Sequence, residues 1–135
     1  MSQTVSTPKQ LGRYTELTLL GQGGMGAVYR AFDPSLQRTV AIKVLLHAQR
    51  KEDQERFVQE ARLASKVLHP NTVYISDFGV LPDGRSYLAM ELIQGKTLMS
   101  EINHGAMDVL RALRITMQIA RGLQDRKSTR LNSSH

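Results

Sequence analysis

A glycine cluster and a lone lysine are the residues of this sequence whose types and spacing could handle phosphate groups. Gly21-Gln-Gly23-Gly-Met-Gly26 follows the pattern Gly-x-Gly-x-x-Gly. Glycines let backbone N–H groups approach phosphate oxygens closely, because no Cβ intrudes. Lys43 follows Gly26 by seventeen residues and stands in an apolar run. Its ammonium group needs a phosphate or a carboxylate as a partner. A glycine-rich hairpin without a ligand and an edge lysine that reaches solvent remain the structural alternatives.

A glutamate in the following helix could supply the carboxylate. Glu60 lies three residues after Phe57 and four before Ala64, so it shares or borders the apolar face of that helix. The other acids of the helix cluster at its start, which makes Lys43 the natural partner for Glu60. The alternative is a glutamate on the solvated surface.

Periodicity and turn residues predict the elements that carry these side chains. Strands are expected over 14–20, 27–32, 39–46, 72–78 and 86–92, and helices over 52–68, 97–103 and 107–124. The third strand is apolar enough to be buried on both faces apart from Lys43. Leu81-Pro-Asp-Gly84 predicts a hairpin turn. The expected fold class is α+β, with a five-stranded antiparallel sheet and one helix over 13–95, after a mobile lead-in over 1–12.

The context of the glycine cluster separates two kinds of nucleotide site. A dinucleotide-binding loop runs from a strand into a helix. Here the cluster is expected to run from one strand to the next, which favours a glycine flap laid over phosphates. A dinucleotide-dependent enzyme stays open as an alternative, and it requires a helix directly after Gly26.

Composition bounds the other classes of function. The chain has 135 residues, 41% of them hydrophobic and 22% charged, as expected for one globular domain. No cysteine is present, which excludes a disulfide scaffold, a thiolate metal site and a cysteine nucleophile. The sequence contains no apolar leader typical of a secretory signal and no apolar stretch long enough for a membrane segment. A cytoplasmic location is therefore expected. The net charge of +6 is spread along the chain with only seven aromatic residues, so no nucleic-acid partner is expected.

The last eleven residues, 125–135, differ from those before them. They hold one apolar residue, Leu131, and no periodicity. The string resembles the in-frame translation of a sequencing-adapter oligonucleotide. We therefore expect 125–135 to be an artefact and disordered, although an ordinary polar terminus is the alternative.

Taken in order, several motifs resemble those of the N-terminal lobe of a protein kinase. The residues within them are similar to those of bacterial serine/threonine kinases of the eukaryotic-like type. Each motif is weak alone, but their order and spacing over residues 13–124 are highly specific. The motifs are Gly21-x-Gly23-x-x-Gly26-x-Val28, Val40-Ala-Ile-Lys43, Glu60, His69-Pro-Asn71 and Met90-Glu-Leu.

The resemblance implies an ATP site. The glycine loop over 21–26 would cover the phosphates, Lys43 would hold the α- and β-phosphates, and Glu60 would orient Lys43. The implied binding residues are Leu20, Gly21, Gln22, Gly23, Gly24, Met25, Gly26, Val28, Ala41, Lys43, Glu60, Met90, Glu91 and Ile93.

The adenine ring would lie on the other side of this site. The resemblance places Val28 and Ala41 on either face of the ring and Met90 at the gatekeeper position. The backbone carbonyl of Glu91 and the backbone N–H of Ile93 would bond the adenine edge. These two contacts use backbone atoms, so they constrain their side chains only weakly.

The residues that would complete phosphoryl transfer are not in the sequence. No His-Arg-Asp motif is present, and the family uses it for the catalytic base. Asp77-Phe78-Gly79 stands before Met90, whereas the family's magnesium motif follows the catalytic loop, so we predict no metal ligand here. Mg²⁺ is expected only in a complete parent protein.

The resemblance thus predicts an ATP-binding lobe over 13–95 and the first helices of a truncated second lobe over 96–124. The parent would be a serine/threonine protein kinase that transfers a phosphoryl group from ATP to a protein hydroxyl, and this chain itself would be inactive. A pseudokinase or regulatory nucleotide-binding module is the alternative. The protein substrate is not predicted, and a membrane anchor elsewhere in the parent stays open.

Overall fold

This computed structural model describes residues 8–24 and 26–133 of the chain. Its strands are β1 (Gln10–Leu11), β2 (Tyr14–Gln22), β3 (Gly26–Asp33), β4 (Arg38–Leu45), β5 (Ile75–Val80) and β6 (Ser86–Glu91). Its helices are α1 (Lys51–Ser65), α2 (Leu98–Asn103) and α3 (Val109–Ser133). The strands form one sheet in the order β1-β2-β3-β4-β6-β5, and every neighbouring pair is antiparallel.

The α+β class and the antiparallel sheet are confirmed, but the predicted strand count of five is wrong. The described residues form six strands, and the additional β1 lies in the stretch expected to be a mobile lead-in. Gly12 has φ of 55°, which lets the chain reverse so that Leu11 pairs with Tyr14. Leu11 is then buried in the core. Two residues are too few to show a strand period in a sequence.

The segment between α1 and β5 is tighter than predicted. The amides of Lys66 and Val67 each bond the carbonyl three residues earlier, so the last turn of α1 narrows and the helix ends before residue 68. Val67 turns inward and is buried. The amide of Thr72 bonds the carbonyl of His69 at 3.1 Å, and this turn delays the start of β5 to Ile75.

The last helix is longer than expected. It continues to Ser133, whereas the sequence predicted an end at 124 and disorder over 125–135. The segment contains neither Gly nor Pro, the residues that stop helices most strongly. Residues 134–135 lie outside the described residues. Within the described part, no helix has the length and apolar character needed to cross a membrane.

One close backbone approach seats α3 on the rest of the structure. Gly122 is buried, and an added Cβ there would lie 3.1 Å from the carbonyl oxygen of Asn71 and 3.2 Å from Cγ2 of Thr72. Most apolar side chains of α3 are exposed, as expected of a helix that needs a larger body around it. Those exposed are Val109, Leu110, Leu113, Met117, Ile119 and Leu123.

The two faces of the sheet differ in burial. Residues directly opposite each other in an antiparallel pair share a face, and one face of β3, β4 and β6 is closed. Its buried side chains are Ala27, Tyr29, Ala31, Val40, Ile42, Val44 and Ala89, covered by Leu11, Tyr14 and Leu81. The other face carries the predicted site.

A buried aspartate fixes the turn after β3. Asp33 has no exposed surface, and its carboxylate accepts hydrogen bonds from Nε of Arg13 at 3.2 Å and from the amides of Ser35 and Leu36. Burial alone would raise the pKa of Asp33, but the bonds from Arg13 and the two amides outweigh it and hold the pKa below the ordinary value.

Replacing this aspartate should destabilise the fold. We expect Asp33→Ala to lower the free energy of unfolding by about 3 kcal/mol, because it leaves two backbone amides without their acceptor and removes the ion pair with Arg13. Because the pKa of Asp33 is depressed, its contribution is present above pH 3.8 and disappears as the pH falls through the folded pKa. Urea titrations at pH 7 and pH 3 should therefore show a smaller difference between variant and wild type at pH 3.

The matched control is Asp83→Ala. Asp83 also bonds an arginine Nε and the amide two residues later, but its side chain is 54% exposed. Its loss should cost less than about 1 kcal/mol. Equal effects of the two substitutions would contradict the role of burial.

Candidate functional site

The glycine cluster forms the tip of the hairpin between β2 and β3. The strands pair as far as Gln22 and Ala27, and the amide of Gly23 donates to the carbonyl of Gly26 at 2.9 Å. A strand, not a helix, begins at Gly26. This path removes the dinucleotide-binding alternative, because that loop requires a helix there. Met25 lies outside the described residues.

The glycines of this loop differ in whether the surrounding structure leaves space for a side chain. A Cβ added at Gly21, Gly23 or Gly24 would meet nothing within 4 Å, so no packing inside the protein demands glycine there. A Cβ at Gly26 would lie 2.5 Å from the carbonyl oxygen of Val44. Gly26 is therefore required by the sheet, whereas the first three glycines leave open space above the loop.

Lys43 stands in a row of side chains on the open face of the sheet. It lies opposite Val28 on β3 and Leu88 on β6. Two residues away on the same face, Ala41 lies opposite Met90. Strand β4 has a partner on each side, so Lys43 is not at a sheet edge, although its side chain is exposed. The apolar surroundings predicted for β4 are present, since its neighbours in the strand are buried.

A cavity of about 570 Å³ lies between α1 and this face of the sheet. Its walls are mostly apolar, with one cation and one carboxylate from the predicted set. It is lined by Lys43, Phe57, Glu60, Ala61, Ala64, Val67, Thr72, Val73, Ile75, Leu88, Met90 and Arg126. The structure thus brings Lys43, Glu60 and Met90 together around one cavity.

The predicted ion pair inside this cavity is not formed. Among the side chains that the structure describes, none of the ion pairs joins Lys43 to Glu60. Glu60 is exposed and also lines a second, smaller cavity with Arg126 of α3. Glu60 thus lines the same cavity as Lys43, and Arg126 lines both cavities.

The other predicted contacts lie outside the lining of this cavity. Val28 is half-buried and Ala41 is buried, both on the Lys43 face. Glu91 is the last residue of β6, and its amide donates to the carbonyl of Tyr74 at 3.0 Å. Ile93 follows the strand and is 63% exposed. Leu20 and Gln22 are exposed beside the glycine tip. The structure therefore places these residues around the open face without joining them.

Asp77 of the Asp-Phe-Gly triplet is engaged in the fold. Its Oδ2 accepts hydrogen bonds from the hydroxyls of Tyr14 at 2.6 Å and Tyr87 at 3.0 Å, and Nη1 of Arg13 lies 3.6 Å away. Burial, then the bond to Asp77, raises the pKa of Tyr87 to about 12. Burial and the bond to Asp77 also raise the pKa of Tyr14, so both tyrosines stay protonated donors. Among the described residues, no three His, Asp or Glu side chains lie together as metal ligands would.

Sequence reasoning missed this cluster and the apolar lining of the cavity. Tyr14 and Asp77 are 63 residues apart, and nothing local connects them. The apolar lining could have been predicted in part, because Leu88 and Met90 are two residues apart on β6 and therefore share a face.

Comparison with known proteins assigns the chain to a family. The protein kinase domain family matches residues 14–126. The chain belongs to the protein kinase family. It is 48% identical over 115 residues to the serine/threonine-protein kinase pkn2 of Myxococcus xanthus, which covers 83% of this chain and 14% of pkn2. It is 43% identical over 111 residues to the serine/threonine-protein kinase PrkC of Bacillus subtilis, covering 80% of this chain and 17% of PrkC.

The fold agrees with a solved kinase domain. The kinase domain of Mycobacterium tuberculosis PknI matches with a TM-score of 0.78 and 26% identity, over 91% of this chain and 51% of that domain. The chain therefore spans about half of a kinase domain and less than a quarter of the two curated relatives. In protein kinases generally, ATP and Mg²⁺ take part in the reaction.

Two substitutions separate the two kinds of glycine. Gly26→Ala should lower the melting temperature by several degrees, because its Cβ would push against the backbone of β4. Gly23→Ala should change the melting temperature by less than about 1 °C, because its Cβ meets open space. Differential scanning calorimetry of the two variants is the measurement. A larger loss from Gly23→Ala than from Gly26→Ala would contradict the assignment.

Proposed function

We propose that this chain is the ATP-binding part of a bacterial serine/threonine protein kinase. The observation that carries the proposal is Lys43, an exposed cation on the open face of an interior strand, beside the cavity that holds Glu60 and Met90. The uncrowded glycine tip on the adjoining hairpin supports it, because backbone amides there can meet phosphate oxygens.

In this proposal each residue has a distinct task toward the nucleotide. Lys43 binds the α- and β-phosphates, and the amides of the glycine loop cover the phosphate chain. Val28 and Ala41 share one face of the sheet, so both pack against the same side of the ring and do not sandwich it as the resemblance implied. The backbones of Glu91 and Ile93 bond its edge. ATP supplies the phosphoryl group that the complete enzyme transfers to a protein hydroxyl. Serine/threonine specificity is proposed from the names of the relatives.

Glu60 would act through Lys43 and not on the nucleotide itself. Both side chains line one cavity, and movement of α1 toward the sheet would bring them closer. In protein kinases this ion pair must be in place for transfer, and the position of this helix controls it. We therefore propose that the described arrangement binds nucleotide but is not aligned for transfer.

Removing the ammonium group of Lys43 tests the proposal. Lys43→Met should weaken ATP binding by about tenfold or more, because a charge-assisted contact to the phosphates is lost. Adenosine, which has no phosphate, should bind both proteins equally. The measurement is calorimetric titration of the 135-residue chain.

The matched control is Lys51→Met, which removes an exposed lysine at the start of α1. It should leave ATP affinity unchanged. Equal losses from Lys43→Met and Lys51→Met would indicate unspecific attraction between the basic chain and a polyanion, and would refute the phosphate site.

The chain by itself should not transfer phosphate. Its 135 residues contain no His-Arg-Asp motif and no Asp-Phe-Gly placed after one, so neither the catalytic base nor the magnesium ligands of the family are available. A single-turnover assay with radiolabelled ATP and a protein substrate should show no labelled product. Labelled protein above the level of the Lys43→Met variant would contradict this expectation.

A nucleotide-binding module without catalysis is the second candidate. The observation in its favour is the lack of an ion pair between Lys43 and Glu60 among the described side chains. Reading the source DNA across the codon of Gln124 separates the two. A His-Arg-Asp-x-x-x-x-Asn frame within about a dozen codons supports the catalytic parent, and its absence favours the module.

A further inference from the structure

The side chain of Glu91 forms a bond that a regular sheet would not contain. The amide of Glu91 donates to the carbonyl of Tyr74 at 3.0 Å. The amide of Tyr74 donates in return to Oε1 of the Glu91 carboxylate at 2.9 Å, and not to the Glu91 backbone carbonyl. Tyr74 stands just before β5, and Glu91 ends β6. The pair therefore closes the open end of this ladder.

The Tyr74 amide therefore donates to a different acceptor from the one that a regular ladder provides. In a hydrogen-bonded antiparallel pair, the two residues exchange both amide-to-carbonyl bonds. Here one of those two bonds is present and the carboxylate replaces the backbone carbonyl in the other. The Glu91 backbone carbonyl therefore does not accept the hydrogen bond from the Tyr74 amide. It is the same carbonyl that the proposed function places against the adenine edge.

We propose that the Glu91 carboxylate is a positioning group for nucleotide recognition. By taking the Tyr74 amide, it keeps the Glu91 backbone carbonyl available to accept a hydrogen bond from the exocyclic amino group of adenine. The side chain acts through the backbone and does not touch the nucleotide. This inference rests on the proposed function and adds a base-specificity determinant to it.

Substitution of Glu91 has two different expected results. In Glu91→Ala the Tyr74 amide loses its acceptor and bonds the Glu91 carbonyl, since a regular ladder offers that partner. The carbonyl is then diverted from adenine. In Glu91→Gln the side-chain amide oxygen still accepts from Tyr74, so recognition is retained.

The experiment is a calorimetric titration of the 135-residue chain with two nucleotides, ATP and purine riboside triphosphate. The second has the same ring and phosphates but lacks the exocyclic amino group. Glu91→Ala should weaken ATP binding by about fivefold, the size expected for one hydrogen bond. It should leave purine riboside triphosphate binding unchanged, which also shows that the variant is folded. Glu91→Gln should match the wild type with both nucleotides.

A matched control is Glu55→Ala, which removes an exposed glutamate of α1 for which the described residues show no hydrogen bond or ion pair. It should bind both nucleotides as the wild type does. Three outcomes overturn the inference while leaving the ATP site intact. They are no loss in Glu91→Ala, an equal loss for both nucleotides, and a loss in Glu91→Gln as large as in Glu91→Ala. A wild-type chain that binds neither nucleotide overturns the proposed function, and the inference falls with it.

Discussion

The register of β3, β4 and β6 is the constraint on which the rest of the structure depends. It sets Val28, Lys43 and Leu88 in one row, and Ala41 and Met90 in the next. The residues between them face the opposite way and form the core. A shift of one residue would exchange the two faces. It would bury the lysine and expose Ile42 and Val44, which have almost no exposed surface. The burial of the core therefore places the cation where a phosphate could reach it.

Sequence patterns predicted the parts of the fold in which one residue type repeats or a turn residue is required. Strands β2 to β6 were recognisable, because branched and aromatic residues bounded by turns are typical of strands. The ends of the helices and strands were harder to predict from the sequence. The helix α1 stops at Ser65 because Val67 turns into the protein, and burial of a single side chain leaves no period to detect.

Some features of the candidate site could likewise be predicted from the sequence and others could not. Local spacing brought out the glycine loop and Lys43, and the resemblance to kinases supplied roles for the adenine contacts. Contacts between distant residues were invisible, and Asp77 illustrates the point. The position of its three-letter motif argued against a metal ligand, but nothing in the sequence indicated the two tyrosine hydroxyls and Arg13 that surround it. The state of the Lys43 and Glu60 pair was likewise beyond reach, because it depends on how closely α1 approaches the sheet.

The close contact at Gly122 holds α3 near its middle, so the helix could tilt about that point. Thirteen residues separate Gly122 from Val109, which gives an arm of about 20 Å at 1.5 Å per residue. A tilt of about 10° at that point would carry the first turn through about 3.5 Å. Arg111 in that turn is bonded to Glu101 of α2 at 3.2 Å, so the same tilt would change the distance between these two side chains. The close contact that Gly122 permits thus leaves the first turn of α3 as the part that a small tilt would move furthest.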